Sequence, residues 1–94
     1  MYYCYVLMSE KEKNWIYVGS TIELKSRLSL HERGKVESTK FYRPLKLAAY
    51  IAVPDEHRAR ELEKYFKVGS GKAILKKRIL GEQALKSFSK RSIA

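Results

Sequence analysis

The chain has one cysteine, two prolines, two histidines and a single aspartate among its 94 residues. Each scarcity excludes something. A lone Cys4 forms no internal disulfide and suits a reducing compartment, so a cytoplasmic location is expected. Two histidines and one cysteine do not make a zinc site. Besides Asp55 there are nine glutamates, most of them in loops or on polar faces, and they supply no convergent carboxylate set of the two-metal phosphodiesterase kind. The longest apolar run, Leu47 to Val53, is far too short for a bilayer, and no membrane partner is expected. The opening "MYYCYVLMSE" has no basic n-region and no cleavage-like site, so a signal peptide is not expected. "GSGK" at Gly69 to Lys72 lacks the strand and spacing of a P-loop and reads as a helix junction.

What the chain does have is positive charge. Lys and Arg number 20 against 10 Asp and Glu, a formal net charge of +10. At 45% hydrophobic residues the sequence is globular, and its length fits one small domain. A small domain with that surplus attracts polyanions, nucleic acid above all, although a cationic surface can serve solubility alone.

"YYCYVLM" (Tyr2 to Met8) is apolar on both alternations and predicts a central strand; "WIYVG" predicts a second. If Tyr5 faces Tyr17 across an antiparallel pair, Met8 faces Asn14 and Ser9 to Lys13 form a five-residue hairpin loop. Period two then sets Tyr3, Tyr5, Trp15 and Tyr17 on one sheet face. Ser20 or Thr21 can cap a helix over residues 22–33 that Gly34 ends. On its wheel Leu24, Leu28 and His31 fall within about 60° of one another, with Arg27 about 60° from Leu24. "KVESTKFYRP" is a basic loop, "LKLAAYIAV" a third strand, and "PDEHRARELEKYFKVG" a helix with an Ala59/Leu62/Phe66 stripe that has Glu63 inside its border. "GSGKAILKKRIL" predicts a short basic helix ending near Leu80. Residues 81–94 form a basic C-terminal tail, expected to extend that helix or to fray.

The chemistry narrows to Glu63 as a ligand for a hard cation, with Tyr5, Tyr17, Arg27 and His31 as companions. Those residues carry a resemblance. "YCY" at Tyr3 to Tyr5 and "YVG" at Tyr17 to Gly19 look like the two signature triplets of the GIY-YIG nuclease superfamily. "LKSRLSLHERGK" resembles its next motif, an arginine with a histidine or tyrosine four residues on. "ARELEKYFKVGSGKA" resembles its glutamate motif, in the form typical of the small standalone bacterial branch. There are departures. The first triplet keeps only its tyrosine, valine replaces isoleucine in the second, and the asparagine many members carry after the glutamate has no counterpart in "AILKKR". Relatives include the excision-repair incision domain, phage homing endonucleases, some restriction enzymes and a structure-specific junction nuclease.

The resemblance implies an α+β fold over residues 1–80, a three-stranded antiparallel sheet flanked by helices, and one divalent ion, Mg²⁺ or Mn²⁺, at Glu63. It implies a metal-dependent endonuclease that hydrolyses DNA phosphodiester bonds, with structure-specific repair or recombination substrates such as branched or nicked DNA; RNA stays open, as does a protein partner supplying specificity. The two tyrosines share the activation of water. Tyr5 is the favoured base and Tyr17 its partner and phosphate contact, with the reverse order open. A free phenol near pKa 10 is under about 1% ionised at neutral pH, so nearby cations are expected to lower it. Arg27 holds a non-bridging phosphate oxygen, and His31 hydrogen-bonds a tyrosine or helps take the water's proton. Gly19, Lys40, Arg43, Lys67, Lys72 and Lys76 are expected nucleic-acid contacts. The bland alternatives are surface tyrosines, snorkelling Arg27 and His31, and a Glu63–Lys67 helix ion pair of about 0.3–0.5 kcal/mol. A non-catalytic nucleic-acid-binding module of the same fold is the competing function.

Overall fold

Aromatic and β-branched residues in "YYCYVLMS" and "IYVGST" build the first hairpin, β1 (Tyr2–Ser9) and β2 (Ile16–Thr21), in a computed structural model that describes residues 1–81. Helix α1 (Leu24–Glu32) follows, then a single 3-10 turn (Lys40–Tyr42), β3 (Leu45–Val53), α2 (Glu56–Lys67) and α3 (Gly69–Ile74), which runs on into a wider π-type turn (Leu75–Ile79). The sheet is antiparallel in the order β2-β1-β3, giving the three-stranded α+β architecture expected from the sequence. The 81–94 tail falls almost wholly outside the described residues.

The hairpin register differs from the expected one. Tyr5 pairs with Gly19, Leu7 with Tyr17 and Met8 with Ile16, so the strands slide by two residues and six residues, Glu10 to Trp15, form the link. Two local features set this. Ser9 Oγ accepts the backbone N–H groups of Lys11 (3.1 Å) and Glu12 (2.8 Å), which starts the turn at once, and Asn14 takes a left-handed φ of 66°. Trp15 ends the ladder, its carbonyl accepting the Ser9 N–H at 3.2 Å, while its side chain stacks on Tyr42 with centroids 4.0 Å apart and planes 8° apart. A slide of two keeps every side chain on its face, so Tyr5 and Tyr17 still share one.

On that face Tyr5, Leu7 and Leu45 form the core, packed by the half-buried Trp15, Tyr17, Leu24, Leu28 and Tyr42. Each such side chain removed from water contributes about 1.5–3 kcal/mol. Cys4, Val6 and Val18 are buried on the opposite face. Helix α1 begins at Leu24, later than expected, because Thr21 remains in β2 and its Oγ1 accepts the Glu23 N–H at 3.1 Å instead of capping. Its end is as read: Gly34 at φ 73° donates to the His31 carbonyl and Lys35 to that of Leu30. Asp55 Oδ1 caps α2 by accepting the Arg58 N–H at 2.9 Å.

The backbone divides after Glu63 into two compact units, with the break inside α2. In the second, Phe66 and Leu75 are buried. There "GSGK" is a helix junction, as its sequence suggests: Gly69 adopts φ 59°, and a Cβ on Gly71 would lie 1.8 Å from the Tyr65 carbonyl oxygen.

Candidate active site

Tyr5 sits mid-way along the central strand and is fully buried. Its hydroxyl lies 2.8 Å from His31 Nε2, and Arg27 Nε donates to it at 3.4 Å. His31 Nδ1 is 2.8 Å from Thr39 Oγ1, which lies 3.5 Å from the Val36 carbonyl. Proton counting gives the chain one direction that satisfies every group. Arg27 only donates, so the Tyr5 O–H needs an acceptor, and His31 Nε2 is the one in reach. His31 is then the neutral Nδ1–H tautomer, donating to Thr39, which donates in turn to Val36.

The electrostatics agree with a neutral interior. Burial pushes the Tyr5 phenol up to about 12, against the opposing hydrogen bond from Arg27. Burial also lowers His31 to about 4, helped by the Arg27 charge. Arg27 is raised, first by its hydrogen bond to Tyr5, with smaller contributions that include Tyr17. The sequence had suggested that neighbouring cations would lower the phenol; desolvation outweighs them at Tyr5. Tyr5 and His31 are sealed, while Arg27 and Tyr17 are half-buried.

Tyr17 joins the cluster by ring contacts, 6.2 Å from Tyr5 and 5.2 Å from His31 between centroids. Gly19 makes room for both tyrosines. A Cβ there would stand 2.7 Å from Tyr5 Oη and 3.0 Å from Tyr17 Cε2. The next residue, Ser20, points to the other face. Its Oγ donates to Glu63 Oε1 at 2.7 Å, so α2 presents its carboxylate across the edge strand from the tyrosines. The Glu63 charge is felt at Tyr5, whose phenol it helps to raise. Beside this pair Tyr2, Ser20, Thr21, Ile22, Glu56, Ala59 and Arg60 line a cavity of about 290 Å³.

Among the expected nucleic-acid contacts, Lys40 lies in the 3-10 turn and pairs with Glu37 at 2.8 Å. Arg43 braces that loop, donating to the carbonyls of Lys40 (3.0 Å) and Glu32 (3.3 Å). Lys67 and Lys72 are exposed and Lys76 half-exposed, all within the second unit. Two site residues escape sequence reasoning, Thr39 behind His31 and Ser20 behind Glu63. Ser20 had a signal, since it follows the glycine of "YVG" and alternation turns it to the glutamate side. Thr39 had none, because only the folded loop brings it to His31.

The tyrosine pair, the glycine beneath it and the arginine–histidine helix edge form one constellation, and residues 1–78 match the GIY-YIG catalytic domain. The chain belongs to the GIY-YIG family. Comparison with curated proteins gave no match, and neither did comparison with solved structures. A GIY-YIG domain is a nuclease domain whose substrate is DNA. Its members generally depend on a divalent metal. Among the described residues no group of three or more His, Cys, Asp or Glu side chains converges, and the Glu63 carboxylate stands beside β2, hydrogen-bonded to Ser20. That donor fits Mg²⁺ or Mn²⁺, hard cations that keep several waters and bind through one or two carboxylates plus substrate phosphates. Among the described residues no helix is long and apolar enough to cross a membrane.

Proposed function

We propose that the protein is a cytoplasmic, metal-dependent endonuclease that hydrolyses DNA phosphodiester bonds at the Tyr17/Arg27 surface, with Glu63 holding one Mg²⁺ or Mn²⁺ ion. One observation carries this reading: Gly19 and Ser20, adjacent on β2, serve the buried Tyr5–His31–Arg27 cluster on one face and Glu63 on the other. The guanidinium reaches this strand through the Tyr5 hydroxyl and the carboxylate through the Ser20 hydroxyl, and both charge types are ones that phosphodiester hydrolysis uses.

Burial favours Tyr17 over Tyr5 as the base. A general base has to meet water; Tyr5 is sealed and holds its proton toward His31, whereas Tyr17 is half-buried beside Arg27. The proposed base is therefore Tyr17, and Tyr5 with His31 and Thr39 fixes the position of Arg27. The Tyr17 hydroxyl accepts a proton from a water and passes its own to solvent; the water's oxygen bonds to phosphorus while the bond to the leaving sugar oxygen breaks, and that oxygen takes a proton from solvent. Arg27 neutralises the charge that builds on the non-bridging oxygens. A bound divalent cation supplies Lewis-acid polarisation of the phosphate. The test is incubation of labelled branched, nicked and linear DNA, and RNA, with Mg²⁺, Mn²⁺ or EDTA. Cleavage with metal and none in EDTA is expected. Binding with no cleavage of any substrate supports the non-catalytic module instead.

A further inference from the structure

The 3-10 turn that closes the loop after α1 is held on every side but one. Thr39 is fully buried and bonded to His31. Tyr42 is stacked on Trp15, and its carbonyl accepts Ser9 Oγ at 2.7 Å. Lys11 Nζ donates to the Phe41 carbonyl at 3.1 Å, and Arg43 ties the Lys40 carbonyl to the end of α1. From this fixed backbone the Phe41 ring turns outward, 70% exposed, and no large apolar side chain among the described residues is more so. A lone exposed phenylalanine is ordinary. One on an immobilised turn is pre-positioned, so that a ligand need not order it on binding.

Its surroundings select the ligand. Lys40 Nζ sits 5.0 Å from the ring centroid, and Lys11, Lys40 and Arg43 line a shallow groove with Phe41, Pro44 and Glu32. An aromatic face among cations takes a flat ring joined to phosphates. The cations are partly offset, Lys40 by Glu37 and the groove by Glu32. Charge alone is therefore weak here, and stacking has to supply the affinity. A duplex hides its base faces, so the partner that uses this ring is an unpaired nucleotide. Phe41 is two residues, at most about 7 Å of chain, from Thr39, whose hydroxyl is bonded to His31, so the turn that carries the ring is anchored on the Tyr5–His31 cluster.

We propose that Phe41 is a stacking platform for an unpaired nucleotide beside the scissile phosphate, so that the substrate is DNA with a single-stranded segment, such as a flap, gap or branch. This rests on the nuclease reading, and the test separates the two. Affinity is measured in EDTA, where metal-dependent cleavage is silent, for a single strand carrying 2-aminopurine and for a duplex of equal length. Phe41→Ala is expected to weaken single-strand binding by about 10- to 100-fold, to leave duplex binding unchanged, and to abolish the quenching of 2-aminopurine. Phe41→Trp retains all three signals. Phe41→Leu keeps apolar bulk without the π face and is expected to behave as Phe41→Ala. Full single-strand affinity in Phe41→Ala or Phe41→Leu, or an equal loss on duplex and single strand, overturns the proposal. A parent protein that binds and quenches in this way but never cleaves with metal leaves the platform standing and sinks the nuclease.

Discussion

Tyr5 and Gly19 oppose each other across β1 and β2, and the phenol hydroxyl lies where a side chain on residue 19 would begin, 2.7 Å from a built Cβ. The ring cannot give way cheaply, because its hydroxyl is held by His31 and Arg27 inside the core. Gly19→Ala is expected to cost about 1–3 kcal/mol by overpacking and to displace the hydroxyl from His31. Thermal melts and cleavage rates of the one variant check both effects; parental values in each would show that the glycine is incidental.

His31 gives a pH signature. Its folded pKa of about 4 lies below the free value of 6.5 because burial and the Arg27 charge oppose protonation. Between those values the unfolded chain binds the proton and the folded one does not, so stability rises with pH across that window. The stability present above about pH 6.5 should fall by on the order of 3 kcal/mol as pH drops through about 4. Denaturant midpoints of the parent and of His31→Gln over this range isolate the effect from carboxylate titration. A parent curve as flat as the variant's would mean that His31 is not buried neutral.

The two tyrosines should separate. Tyr5→Phe strands the buried His31 Nε2 and removes one contact of the half-buried Arg27, and a lost buried partner costs about 1–3 kcal/mol. The fold is therefore expected to tolerate the change at Tyr17 and to be weakened by the change at Tyr5. Tyr17→Phe is expected to melt like the parent and to lose cleavage by about 10²-fold or more, the range for removal of a positioned base. Full activity in Tyr17→Phe would return the base to Tyr5 or to His31.

Much of this was legible in the residues. Strand β3 coincides with "LKLAAYIAV", Gly34 ends α1, and alternation set both tyrosines on one face whatever the register. The register itself was not legible, because the Ser9 turn and the left-handed Asn14 set it, and the Tyr42 ring that stacks on Trp15 lies 27 residues on in the chain. Nor was the sealing of His31 legible. A helical wheel ranks it with Leu24 and Leu28 but cannot show Thr39 closing over it from beyond the helix end.

Glu63 carries the last prediction. In the structure its Oε1 accepts Ser20 Oγ at 2.7 Å, a half-buried bond on the far side of β2 from the tyrosines. Glu63→Gln preserves shape and an acceptor for Ser20, so a purely structural carboxylate would lose about 1 kcal/mol or less. A cation-holding carboxylate loses the charge its role requires, and cleavage in Mg²⁺ or Mn²⁺ should fall by about 10²-fold or more. DNA affinity in EDTA should persist or tighten, since a negative charge facing phosphate has gone. Ser20→Ala is the companion. It leaves the charge but removes one hydrogen bond that positions the carboxylate, and so should raise the metal concentration needed for half-maximal cleavage more than it lowers the rate at saturating metal. Parental cleavage by Glu63→Gln would remove the glutamate from the site, and a Ser20→Ala protein with an unshifted metal requirement would remove the serine's positioning role.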